Sequence, residues 1–136
     1  MIVEIEIPPF LGPHETVRLA RILLDATIAV NRAIMRRVRV PGLYATRVRY
    51  RDEPPGRERF DHVGIVLRRG DGDCDDLVAW RVAELHEAGE VRAAPRILWP
   101  KNVRRYHAQV RRADGSIEDP ALILLRREQR ERGHAA

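Results

Sequence analysis

Cys74 is the single cysteine of this 136-residue chain, and it stands in the run Gly70-Asp71-Gly72-Asp73-Cys74-Asp75-Asp76, directly before a stretch with helical apolar spacing. A thiol is a nucleophile only as its thiolate, and the first turn of a helix favours that anion through unpaired N–H groups and the helix dipole. Asp71, Asp73, Asp75 and Asp76 oppose it, because neighbouring carboxylates disfavour another negative charge. Cys74 therefore needs a base, and without one it reads as an inert buried hydrophobe. Of the five histidines, His14 and His134 lie near the two ends, His62 follows a proline-rich stretch, and His86 sits at the far end of the cysteine helix. His107 differs: it lies in Tyr106-His107-Ala108-Gln109-Val110, where a strand can hold an imidazole rigidly against a thiol. Glu118-Asp119-Pro120 follows an Asp114-Gly115 turn, so Asp119 can fix the tautomer of that imidazole and stabilise its cation. The chemistry these three side chains suit is nucleophilic attack on an acyl carbon.

The elements that must carry them are legible from spacing. Asp73 is a good helix N-cap, Leu77, Val78, Trp80, Ala83 and Leu85 supply an apolar face, and Gly89 is a good stop, which places Cys74 in the first turn. Residues 91–99 and 103–112 read as strands, 113–115 as a hairpin turn, 116–119 as the returning strand and 122–132 as a terminal helix. Upstream, residues 2–7 alternate as an edge strand or arm stopped by Pro8-Pro9, and residues 15–37 form one long helix that ends before Pro41-Gly42. Residues 43–50 read as a strand or extended loop running into a surface excursion at Pro54-Pro55-Gly56. Side chains alternate faces along a strand, so the turn decides whether a triad exists. A two-residue turn puts Asp119 opposite Val110 and away from His107. A three-residue loop with left-handed Gly115 puts it opposite Gln109, on the His107 face and within side-chain reach.

In this order the Gly70–Asp76 run, Tyr106-His107-Ala108, and Asp114-Gly115 with Glu118-Asp119-Pro120 resemble the transglutaminase-like cysteine protease superfamily, over roughly residues 43–120. The resemblance implies an α+β, papain-like fold in which the nucleophile helix packs on a small antiparallel sheet. It also implies a Cys74-His107-Asp119 triad that works through a thioester acyl-enzyme, with hydrolysis of a peptide or protein amide as the simpler outcome and acyl transfer to an amine as the other. Small proteins similar to this one often belong to tailed phages and prophages, which makes phage structural proteins conceivable partners. For the oxyanion the expected donors are the backbone N–H of Cys74 and, second, Tyr50. The alternative is a noncatalytic interaction or virion-assembly module that keeps the fold. The expected organisation is a single domain over residues 1–136: an arm and long helix in 1–42, the catalytic core in 43–120, and a helix and tail in 121–136.

Composition narrows the rest. A net charge of +5 with 44% hydrophobic and 33% charged residues is the balance of one soluble domain rather than of disorder. Lys101 is the one lysine among 25 basic residues, so the excess is arginine, spread along the whole chain. With aromatic residues at 5%, such a surface lacks a base-stacking platform and predicts no specific nucleic-acid partner. No apolar run is long enough to span a membrane, and a lone cysteine with no secretory leader predicts a reduced thiol in the cytoplasm. Residues 71–75 have the spaced acids of a calcium loop, but Asp76 replaces its glycine and Val82 its bidentate acid. Zinc lacks paired ligands. The expectation is thus no metal and no cofactor, with Trp80 and Trp99 read as core residues or walls of a substrate cleft.

Overall fold

A computed structural model describes residues 8, 10–54, 58–101, 103 and 105–135. The strand expected over 2–7 and part of the Pro54-Pro55-Gly56 excursion lie outside the described residues. The architecture is α+β. In chain order it has helix α1 (Pro13–Met35), a 3-10 turn (Leu43–Ala45), strand β1 (Arg49–Tyr50), helix α2 (Val63–Arg69), strand β2 (Asp71–Gly72) and helix α3 (Cys74–Glu87). Strands β3 (Ala94–Leu98), β4 (His107–Arg111) and β5 (Ile117–Glu118) and helix α4 (Pro120–Ala135) complete it.

Helix α3 is the centre of the molecule. It packs against α1, the sheet and α4, and it is buried nearly all round, including Leu77, Val78, Trp80, Val82 and Ala83. A helix hydrophobic on every side belongs in a core, and the acidic residues of its first turn are the exception that calls for partners. Helix α1 covers it with Ala20, Leu24, Thr27, Ile28 and Asn31. The Asn31 side-chain oxygen accepts from the Val63 N–H at 2.8 Å, which fixes the start of α2.

Two features of 43–72 depart from the sequence expectation. Instead of one extended run over 43–50, a 3-10 turn precedes a strand of two residues, and the unforeseen α2 and β2 follow. The β1 and β2 strands pair in parallel, Arg49 with Asp71 and Tyr50 with Gly72, bringing Tyr50 beside the entrance to α3. Gly72 is required there by close approach: a Cβ would sit 3.3 Å from each of the Asp76 Cβ, Leu77 Cδ2 and Val66 Cγ1.

The second sheet is antiparallel, in the order β3-β4-β5. As the edge strand, β3 tolerates Pro95, whose carbonyl accepts from Arg21 Nη1 at 3.1 Å. Ala108 and Val110 of β4 are fully buried in the core, so His107 and Gln109 take the other face. The hairpin from β4 to β5 uses the three-residue loop. Arg112 N–H donates to the Ser116 carbonyl, Gly115 N–H donates to the Arg112 carbonyl, and Gly115 has φ of +87°. Val110 pairs with Glu118. Glu90, just past α3, holds this hairpin by accepting from Arg112 Nε and Nη2 and from the Ala113 N–H. Glu118 holds the other strand, accepting from Tyr44 Oη at 2.6 Å, Arg81 Nε at 2.6 Å and Arg112 Nη1 at 3.0 Å.

Candidate active site

Cys74 is the first residue of α3, as expected, and Asp73 is its N-cap. A capping box closes the turn: Asp76 Oδ2 accepts the Asp73 N–H at 3.1 Å, and the Asp73 carboxylate accepts in return from the backbone of the first turn. The cap has a consequence that the residue spacing conceals. The Cys74 N–H donates to Asp73 Oδ1 at 2.7 Å, so in this structure it is engaged and not the open oxyanion donor expected of it. Tyr50 is in the same position, its hydroxyl donating to Asp52 in a short bond.

His107 opens β4, and the three-residue loop places Asp119 on its face. The ring Nε2 lies 2.7 Å from Asp119 Oδ2, which also accepts from Gln109 Nε2 at 3.1 Å. Arg96 Nη1 in turn donates to Gln109 Oε1 at 2.7 Å, so the orienting carboxylate is braced from across the sheet. Asp119 Oδ1 does a second task and caps α4 by accepting the Leu122 N–H at 3.1 Å. The bond to Asp119 raises the imidazole above its usual range against the opposing effect of burial, with the charges of Asp119, Asp73 and Asp52 adding to it. Burial pushes Asp119 up, but its bonds from His107, Gln109 and Leu122 outweigh this and leave it below the usual carboxylate range.

Cys74 and His107 line one cleft of about 240 Å³ together with Tyr50, Asp52, Glu58, Asp73, Pro100, Val103, Arg105 and Tyr106. Nε2 of His107 is engaged with Asp119, which leaves Nδ1 as the ring nitrogen not used in that bond. Among the described residues no hydrogen bond joins the Cys74 sulfur to the ring, and what the two share is the cleft that both line. The thiol is 6% exposed. Burial first, then Asp75 and Asp73, hold it well above the usual thiol range, while the Ala108 N–H pulls the other way. These surroundings favour the neutral thiol over the thiolate.

Trp80 and Trp99 do not line this cleft. Trp80 is fully buried in the core with its indole N–H unpartnered, a position that excludes substrate contact, and the Trp99 indole donates to the Val103 carbonyl at 2.6 Å. A larger hollow of about 390 Å³ lies elsewhere, between α4 and residues 46–49. It holds none of the candidate residues.

What the sequence did not disclose is a group of carboxylates that includes Asp73, the neighbour of Cys74. Carboxylate oxygens of Glu53, Glu58 and Asp73 lie within 4.8 Å of one another, as do those of Glu53, Asp61 and Asp76. These are the side chains that could hold a cation, and they are not the 71–75 loop weighed above. Positive charge reaches them from Arg69, with Nη1 2.7 Å from Asp61 Oδ2 and Nη2 3.5 Å from Asp76 Oδ2, and from Arg105, whose charge acts on Glu58 and Asp73. Burial nonetheless pushes Glu53 up to about 7 and Asp76 up to about 8. A carboxyl whose folded pKa exceeds its unfolded value near 4 stabilises the fold at low pH, and that contribution is lost as pH rises through the folded value. The melting temperature is therefore expected to fall between pH 5 and about 8, and Asp76→Asn to flatten the slope. Calorimetry across that range checks this, and a melting temperature that rises toward pH 8 contradicts it.

Comparison with known proteins leaves the site to be judged by its geometry, since no family model, no curated protein and no solved structure matches this chain. Among the described residues no helix is long and apolar enough to cross a membrane.

Proposed function

We propose that this chain is a transglutaminase-like cysteine hydrolase with a papain-like arrangement, acting on an amide of a peptide or protein. The observation that carries this reading is the 2.7 Å bond between His107 and Asp119 on a hairpin whose imidazole shares a cleft with the helix-opening Cys74. The Cys74 sulfur attacks the carbonyl carbon as His107 Nδ1 takes the thiol proton, with Asp119 holding the ring at Nε2. The C–N bond then breaks, His107 returns the proton to the leaving amine, and a thioester on Cys74 remains for water to hydrolyse or an amine to intercept. Displacement of the Asp73 carboxylate from the Cys74 N–H frees a donor for the oxyanion. The cysteine used this way stays reduced, which fits a cytoplasmic setting or a phage assembled there.

One observation favours the second reading, a noncatalytic interaction or virion-assembly module: the thiol is nearly buried and held neutral. Trapping separates the two. Incubation with an activated peptide ester is expected to add one acyl group to Cys74 by intact mass, removable by hydroxylamine. An added primary amine then reports whether the acyl group passes to it or to water. Absence of a Cys74 adduct, with the protein folded, favours the noncatalytic module.

A further inference from the structure

The residue after the nucleophile and the residue before the base are bonded to each other. Tyr106 Oη donates to Asp75 Oδ2 at 2.7 Å across 31 positions of sequence, while Asp75 Oδ1 accepts the Asp76 N–H at 2.8 Å. Asp75 is fully buried and Tyr106 is 5% exposed, so neither partner has water as an alternative. Leaving either group unpaired in such surroundings is costly, which makes the bond a strong geometric constraint.

We propose that Asp75 and Tyr106 are positioning residues that fix the spacing of Cys74 and His107. The inference rests on the triad reading above. Helix α3 and strand β4 belong to separate elements, and among the described residues no bond joins the thiol to the imidazole. Besides the Ala108 N–H, which faces the Cys74 sulfur, the Asp75–Tyr106 bond is a side-chain tie between α3 and β4 one residue from each reacting group. The groups facing the pair are Asp73, Asp76, Glu58 and Cys74, and burial with the neighbouring carboxylates raises both Asp75 and Tyr106, while the Tyr106 hydroxyl is the donor that bridges to Asp75 Oδ2.

The test is the rate of Cys74 alkylation by iodoacetamide as a function of pH, measured on wild type, Tyr106→Phe, Asp75→Asn and the double variant Asp75→Leu/Tyr106→Phe, with melting temperatures alongside. Wild type is expected to show an inflection that follows His107. Tyr106→Phe, which removes the bridging proton, should lose about ten- to a hundred-fold in rate near neutral pH, the scale of an ångström-sized misplacement, and move its inflection to the alkaline side. Asp75→Asn keeps a bridge, because its amide can donate to the phenol oxygen, and should restore the wild-type profile. The double variant leaves no unpaired partner in the Asp75–Tyr106 pair and guards against misfolding of Tyr106→Phe. It too should show the alkaline profile. A lower melting temperature with an unmoved inflection means the bond is merely structural and overturns the inference while the triad stands. A wild-type profile with no His107-dependent inflection overturns both.

Discussion

Changing His107 to alanine is expected to slow acylation of Cys74 about a hundred- to ten-thousand-fold, the usual range for loss of a positioned general base. The reason lies in the surroundings of the thiol. Burial and the charges of Asp75 and Asp73 keep it protonated, so the helix end cannot supply a thiolate unaided, and the imidazole must take the proton as the sulfur attacks. The bond to Asp119, with the charges of Asp119, Asp73 and Asp52, raises His107, which makes it a better proton acceptor at the cost of holding its own proton longer. Burst kinetics with an activated ester measure the effect. Because His107 is half-buried at the start of β4, its truncation should leave the core of α1 and α3 intact.

Asp119→Asn is expected to lower turnover by about four orders of magnitude with little change in melting temperature. The carboxylate has two separable tasks. At Oδ1 it caps α4, a role that asparagine fills as well as aspartate. At Oδ2 it accepts from His107 and Gln109, and an amide nitrogen placed there would instead donate, turning the ring to the wrong tautomer. Comparable losses of turnover and stability would mark Asp119 as structural.

The hairpin is where sequence reasoning reached furthest. Two turns were open at Asp114-Gly115, a triad required the three-residue loop with left-handed Gly115, and the hairpin has that loop and the pairing that puts Asp119 on the His107 face. Asp73 as cap and Cys74 as first helical residue were equally legible, because capping is a local rule. Helix α2 was not. Its seven residues carry one buried pair, Val63 and Val66, and its cap is the unusual His62, whose Nδ1 accepts the Gly64 N–H at 3.1 Å. The carboxylates of Glu53, Glu58 and Asp61 come from a stretch without periodicity. They reach Asp73 and Asp76 only through tertiary links such as the 2.8 Å bond from the Asp61 N–H to Asp76 Oδ1. The engaged N–H of Cys74 shows the limit of local reasoning from the other side: the residue that makes Asp73 a good cap also occupies the donor that the nucleophile was expected to offer.

Whether His107 activates Cys74 is read from the pH dependence of alkylation at Cys74. Iodoacetamide is small enough to report on the thiol without a cognate substrate, and mass spectrometry assigns the product to this cysteine, the single one in the chain. The wild-type rate is expected to rise through an inflection that follows His107 and lies above the ordinary imidazole value. In His107→Ala the inflection should shift above the ordinary thiol value, where only direct ionisation of a buried thiol remains. Identical profiles for the two proteins, both rising only in the alkaline range, would contradict activation by His107 and leave Cys74 as a buried structural residue.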